Sequence, residues 1–126
     1  VEDDEIFNVL EAIVEKDVYK LLTSLNNLKL ETSQIVDRVY VEIVKIFELA
    51  LFMRYLSLDE AREIFMGQEG EKLIRKTKAL AEKHPKIISS GNLYSLLEIE
   101  KELNQNSNLK KSILKTGLIR ILENAE

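Results

Sequence analysis

Residues 33–56, SQIVDRVYVEIVKIFELALFMRYL, carry apolar side chains on nearly every side of a helix, and this stretch sets the architecture of the chain. Many of these side chains are β-branched, as strands prefer, but a run of about 24 residues without an internal turn residue favours a helix. Charged residues interrupt the run too often for a membrane helix. A helix that is apolar on most sides is typical of the centre of a bundle or of a subunit contact.

Elsewhere in the chain, apolar positions recur at three- and four-residue steps, whereas period-two alternation is scarce. This periodicity predicts an all-α fold, a compact bundle of about five to seven helices. Seven helices can be placed, at residues 3–15, 18–28 with a break at Asn26–Asn27, 33–56, 57–67, 71–84, 93–104 and 109–124.

Capping residues support several of these boundaries. Asp17, and Thr32 or Ser33, are candidate N-caps because a side-chain oxygen can accept a hydrogen bond from an amide of the first turn. Ser57 and Glu60 have the spacing of a capping box. Gly67 predicts the end of the helix that follows, and Pro85 predicts the end of the next one.

The composition describes one domain, spanning residues 1–126, with little material for catalysis. Of 126 residues, 45% are apolar and 32% are charged, and the chain has one histidine and no cysteine. The chain therefore has too few histidine and cysteine residues for a zinc site, a cysteine nucleophile or a Ser-His-Asp triad. It also contains no glycine-rich phosphate loop. Carboxylate pairs such as Glu98 and Glu102 are expected by chance among 22 acids. We expect no enzymatic activity, no metal and no cofactor.

Charge is distributed unevenly along the chain. The formal net charge is −4, but residues 1–63 contain 7 basic and 14 acidic residues, whereas residues 64–126 contain 11 and 8. One interpretation is an unevenly charged, solvated surface. The other is a domain whose acidic edge faces the basic edge of a neighbour, because charge complementarity selects partners and orientation. The candidate partner contacts are Asp3, Asp4, Lys72, Arg75 and Lys76.

Two features of the sequence bear on localisation, the acidic first residues and the lack of a long apolar run. No apolar run approaches the roughly 18 residues that cross a bilayer, and the acidic start, VEDDE, is unlike a signal peptide. A cytoplasmic domain without membrane contact is expected. The first residue is Val1 rather than Met, which indicates a piece of a longer chain.

The four tyrosines, which could in principle stack on bases, lie among apolar helical positions without interleaved arginines. Packing in the core or at its edge is therefore the prediction for Tyr19, Tyr40, Tyr55 and Tyr94.

Residues 72–86 carry six basic residues against Glu82 alone. The helical period predicts that the cations of the helix in this stretch point outward; they are Lys72, Arg75, Lys76, Lys78 and Lys83. This basic face could stay solvated or contact phosphates or an acidic partner.

Two parts of the chain resemble a known family. Residues 2–22, EDDEIFNVLEAIVEKDVYKLL, combine an apolar-acidic helix that ends in an acid-Asp step with a helix of paired leucines. Near the other end, residues 93–103 and 109–122 flank an asparagine-containing turn, and the last helix carries LIRI at 118–121. Both parts resemble the third, C-terminal helical domain of bacterial clamp-loader subunits of DNA polymerase III, most of all tau/gamma, and next delta-prime or delta.

Three positions depart from the usual pattern of that family. The 28–32 loop has no glycine, Lys115 stands where an acidic residue is common, and Gly117 lies inside the last helix. Gly in a helix costs about 0.5–1 kcal/mol relative to Ala unless close packing requires it.

The resemblance implies a collar domain that joins other clamp-loader subunits in a ring and neither binds nor hydrolyses ATP itself. Head-to-tail contacts in a ring join unlike faces, which suits opposite charge on the two halves. Direct nucleic-acid binding is not expected of such a domain. The alternative is a free-standing helical adaptor or small subunit of a nucleic-acid-processing complex that uses the basic face at 72–86. A small helical enzyme is a third class, for which the sequence nominates no pocket.

Overall fold

The computed structural model describes residues 3–65, 70–106 and 108–124, apart from the side chains of Asp3, Asp4 and Phe65. Within these ranges the chain forms seven α-helices and no strand, which confirms the all-α bundle. The helices are α1 (Asp3–Glu15), α2 (Val18–Asn27), α3 (Ser33–Met53), α4 (Leu58–Phe65), α5 (Glu71–Lys83), α6 (Ser90–Gln105) and α7 (Lys110–Asn124).

Helix α3 is the centre of the bundle, as its apolar composition predicts. It packs against α1, α5, α6 and α7, while α2 packs on α1 and α7, and α4 packs on α5. The largest fully buried side chains come from five of the helices and from the 84–89 connection; they are Phe47, Ile6, Leu10, Ile13, Leu21, Leu25, Ile43, Met53, Ile74, Ile88, Leu96 and Leu103.

The predicted N-caps are present. Asp17 accepts from the Lys20 amide at 3.0 Å and Thr32 accepts from the Ile35 amide at 3.2 Å. Ser57 and Glu60 exchange both hydrogen bonds of a capping box, each at 3.1 Å. The end predicted at Gly67 lies outside the described residues.

Two predicted boundaries are wrong. Helix α3 ends at Met53 rather than near residue 56, because the Arg54 and Tyr55 amides donate to carbonyls three residues back, those of Leu51 and Phe52. The Arg54 guanidinium donates to the Ile88 carbonyl at 2.8 Å. Helix α6 begins at Ser90 rather than Leu93, because the Ser89 hydroxyl caps the Asn92 amide. The buried face of α6 consists of Leu96, Ile99 and Leu103.

Among the described parts of the chain, no helix is long and apolar enough to cross a membrane.

Lys29 takes a backbone conformation that favours glycine. Its φ is 51°, in the left-handed region, just after α2 ends, and its amide donates to the Asn26 carbonyl at 3.2 Å. Lys16 does the same after α1, with φ 57°. A side chain with a Cβ is strained in this conformation, whereas glycine adopts it readily.

Replacing Lys29 by glycine should therefore stabilise the domain. We expect Lys29→Gly to raise the free energy of unfolding by about 0.5–1 kcal/mol, because it removes the Cβ from a left-handed residue. Lys29→Ala, which loses the charge but keeps the Cβ, is the matched control. Urea denaturation of both variants measures the difference, and an equal effect of glycine and alanine would refute the explanation.

Gly117 allows α6 and α7 to approach closely. A Cβ built on Gly117 would lie 2.7 Å from Cδ1 and 2.9 Å from Cγ1 of Ile99, both inside normal contact distance. Gly117 and Ile99 are both buried at the α6–α7 contact. The glycine inside α7 thus weakens the helix locally and permits tighter packing between the helices.

Gly117→Ala should destabilise the domain even though alanine is the better helix former. We expect a loss of about 1–2 kcal/mol, because the overpacking cost of about 1–3 kcal/mol exceeds the gain in helix propensity. In an Ile99→Val background, which lacks Cδ1, the loss should shrink. Thermal and urea unfolding measure both values.

The control for this pair is Gly91→Ala in the first turn of α6, where an added Cβ would meet only the Ser89 hydroxyl at 3.9 Å. It should leave stability unchanged or slightly raised. A Gly117→Ala protein that is more stable than wild type would show that α6 and α7 do not depend on the missing Cβ.

Candidate interaction surface

The described residues hold no group of three or more histidine, cysteine, aspartate or glutamate side chains placed to bind a metal. Every buried side-chain nitrogen or oxygen in the described part of the chain has a hydrogen-bond partner. The exposed apolar surface is therefore the more informative feature.

An apolar groove runs along the outer side of α3 and α6. It consists of two clefts, of about 240 Å³ and 310 Å³, that follow one another along α3. We call it the α3–α6 groove, and it is lined by Asp37, Tyr40, Val41, Val44, Glu48, Leu51, Phe52 and Tyr55 on α3 and the turn after it, and by Leu93, Leu97, Glu100, Leu103 and Asn104 on α6.

The helical repeat explains why these residues share a face. Positions 41, 44, 48, 52 and 55 recur at three- and four-residue steps, and so do 93, 97 and 100 on the neighbouring helix. Nine large apolar side chains are exposed in the described part of the chain, and four of them, Val41, Phe52, Tyr55 and Leu97, line this groove. Such clustering, unlike single exposed apolar residues, marks an interaction site.

The tyrosine prediction is confirmed for Tyr40 and wrong for the others. Tyr40 is 5% exposed, whereas Tyr19, Tyr55 and Tyr94 are exposed on the outer faces of the bundle. The sequence shows an apolar neighbourhood for all four, but only the helical phase separates inner from outer positions. The Arg54 guanidinium lies over the Tyr55 ring, 5.4 Å from its centroid.

Tyr40 forms part of the floor of the groove and connects its two walls. Its hydroxyl donates to the Leu96 carbonyl of α6 at 2.8 Å. Burial, with a smaller contribution from the nearby Glu100 carboxylate, raises the pKa of Tyr40 to about 12. The phenol therefore stays protonated at neutral pH and keeps donating.

Acidic side chains interrupt the apolar lining of the groove. Asp37 accepts a hydrogen bond from the Lys110 ammonium at 2.7 Å, which ties the start of α7 to α3. Glu48 and Glu100 are exposed and line the groove further along. An apolar partner with basic residues at its edges would complement this lining.

The basic residues predicted as partner contacts lie on α5, and they interact within the domain. Glu71 accepts from Nε of both Arg62 and Arg75, each at 2.8 Å, and these hydrogen bonds hold the pKa of Glu71 below its ordinary value. The Lys76 ammonium lies 4.4 Å from the centroid of the Phe7 ring. Lys72 lies on the exposed side of α5.

The outward orientation predicted for Lys78 is wrong. Its side chain is 17% exposed and its ammonium donates to the Met53 and Leu56 carbonyls at 3.1 and 2.6 Å. These carbonyls belong to the end of α3 and the turn after it, so Lys78 caps that end. An ammonium on a long side chain reaches such carbonyls while its stem stays buried.

The acidic and basic halves of the chain partly face each other inside the domain. Phe7, Glu11 and Glu15 of α1 line one side of a cleft of about 240 Å³, and Lys76 and Lys83 of α5 line the other. Glu11 and Glu15 also pair with Lys20 of the acidic half.

The other predicted contacts, Asp3 and Asp4, lie in the first turn of α1. Their side chains lie outside the described residues.

A polar cleft of about 360 Å³ also lies between α6 and α7, above Gly117. Glu98, Glu102 and Arg120 line it together with amide side chains. Both glutamates here are exposed on the same helix face, so the cleft has the features of a solvated helix boundary.

No protein-family model, curated protein or solved structure matches this chain.

The raised pKa of Tyr40 predicts that the stability of the domain depends on pH. The folded phenol binds its proton more tightly than the unfolded one, so its stabilisation is complete below about pH 10 and is lost as the pH rises toward 12. We expect Tyr40→Phe to lower stability by about 1 kcal/mol at neutral pH. The gap between wild type and variant should narrow above about pH 10, as measured by urea denaturation.

Tyr94→Phe, at an exposed position on α6, serves as the control and should match wild type at every pH. A constant gap for Tyr40→Phe from neutral pH to about pH 12 would show that the phenol has no raised pKa in the folded domain.

Proposed function

We propose that this chain is an oligomerisation domain of a bacterial DNA polymerase III clamp-loader subunit, a collar domain that assembles with other subunits in the complex that loads the sliding clamp. The observation that carries the proposal is the α3–α6 groove, an exposed apolar surface on the central helix of the bundle. A surface of this kind is typical of a protein-protein contact.

The resemblance of the two ends of the chain to clamp-loader subunits supports the choice of partner. Residues 2–22 include α1 and the first half of α2, and the second resembling part includes the α6–α7 pair. These segments make direct contacts, since α7 packs against α1, α2 and α6. In such a domain the contacts would hold subunits in order while the chemistry takes place on separate ATPase modules.

The nucleic-acid alternative depends on the basic face of α5. Within that face, Arg75 pairs with Glu71, Lys76 lies over Phe7, and Lys78 donates to backbone carbonyls. Phosphate binding would have to compete with these contacts. They therefore support a protein partner more than a nucleic acid.

The test is assembly with purified bacterial clamp-loader subunits tau/gamma, delta and delta-prime, followed by size-exclusion chromatography with light scattering. We expect the chain to co-elute with at least one of them. The variant Phe52→Asp with Leu97→Asp should weaken association about tenfold or more, because buried anchors dominate interface energies. Ser95→Asp, on the other side of α6, is the matched control.

Absence of association with every subunit would overturn the proposal. Tight, strongly salt-dependent binding of DNA or RNA in a mobility assay would favour the alternative instead. Charge reversal of Lys72, Arg75 and Lys76 tests the contacts predicted from the sequence, and unchanged association would remove those residues from the interface.

A further inference from the structure

Helix α2 presents a second apolar face, unlike the first. Val18 and Tyr19 are exposed, Tyr19 at 81%, and Leu22, one turn further on, is half-buried. The buried face of α2, with Leu21, Ser24 and Leu25, lies next to these positions around the helix. We call the three side chains Val18, Tyr19 and Leu22 the α2 face.

The α2 face and the α3–α6 groove lie on different helices of the domain. Helix α2 packs on α1 and α7, and these two helices in turn pack on α3. Two unlike patches on one domain are what a head-to-tail contact between copies requires.

The ends of the α2 face are basic. Lys16 and Lys29 are exposed directly before and after α2, roughly 20 Å apart at the rise of a helix. Lys20, between them, donates to Glu11 and Glu15; partial burial would lower its pKa, but these two carboxylates raise it above the ordinary value.

The acids of the groove have a similar spacing. Glu100 lines the same cleft as Asp37, whose carboxylate is paired with Lys110, and Glu48 lies roughly 16 Å beyond Asp37 along α3. Val41 and Val44 lie between the two acids of α3 in the sequence. Along the groove, the order is therefore acid, apolar surface, acid. Helix α2, with apolar side chains at its centre and a lysine beside each end, has the complementary order.

We propose that the α2 face of one copy of this domain docks into the α3–α6 groove of the next copy, with Tyr19 as the central anchor. The contact is heterologous, so it leaves one free groove and one free α2 face at the two ends of any open assembly, and it can extend into a ring. The proposal rests on the oligomerisation function proposed above and names the two surfaces that would carry it.

The contact is expected to be weak when it acts alone. Helix α2 has 10 residues, about 15 Å of helix, which is less than a standard interface of roughly 800 Å² per partner uses. We therefore expect self-association of the isolated chain with a Kd in about the high-micromolar range, and tighter association where a ring closes.

The test uses two variants that each lose one surface. The groove variant is Val41→Arg with Leu97→Arg, and the α2 variant is Val18→Glu with Tyr19→Glu. All four positions are exposed, so both proteins should retain the helical circular dichroism of wild type. Sedimentation velocity at increasing concentration, up to about 1 mM, measures association of wild type, each variant, and an equimolar mixture.

The expected result is concentration-dependent association of wild type, a monomer for each variant, and a one-to-one dimer in the mixture. The α2 variant keeps an intact groove and the groove variant keeps an intact α2 face, so the mixture can form one contact and should stop at the dimer.

Two charge variants provide a milder pair, Glu100→Lys in the groove and Lys16→Glu with Lys29→Glu beside the α2 face. Each alone should weaken association severalfold, because each contact then brings like charges together. Mixing the two should restore association of about wild-type strength, since one pairing joins two unaltered surfaces and the other pairing brings opposite charges together.

A wild-type protein that stays monomeric to about 1 mM would overturn the proposed contact, and so would variants that still associate like wild type or a mixture that stays monomeric. Failure of this contact is separable from failure of the proposed function. Capture of clamp-loader subunits by a chain that never self-associates would remove the contact and leave the function standing. Self-association without capture of any subunit would support the contact and overturn the proposed function.

Discussion

Burial of the apolar surface of α3 organises the whole bundle. Its 21 residues are apolar on most sides, and burying a large side chain is favourable by about 1.5–3 kcal/mol, so the other helices gain most by covering it. Helices α1, α5, α6 and α7 do so. Helices α2 and α4 pack on these covering helices instead, and the strip of α3 that faces the α3–α6 groove stays exposed.

The location of the candidate site follows from this arrangement more than from charge. In the sequence, the basic run at 72–86 is the more conspicuous feature. In the fold, Arg75 and Lys78 contact groups of the same domain. The acids of the groove, by contrast, border apolar surface, where electrostatic complementarity would guide the orientation of a partner whose affinity comes from Phe52, Tyr55 and Leu97.

Lys29 and Gly117 have opposite local consequences. Lys29 holds a left-handed conformation that glycine would adopt more readily, so the loop after α2 is strained by its own residue. Gly117 makes α7 a poorer helix but avoids an overlap with Ile99, so the α6–α7 pair is better packed. At both positions the residue differs from the one that the local backbone favours, and only at Gly117 does a tertiary contact explain the difference.

The class of fold and most helix boundaries could be derived from the order of amino acids, because the apolar period and the capping residues are local properties of the chain. The central place of α3 followed from its composition in the same way. The exposure of individual apolar residues could not be derived in this way. Tyr40 and Tyr55 have similar sequence neighbourhoods, yet Tyr40 is buried and Tyr55 is exposed. Packing likewise assigned Lys78 to the end of α3 and joined α3 with α6 into one groove. These outcomes depend on which helix lies beside which, and the helical period of a single segment carries no information about its neighbours.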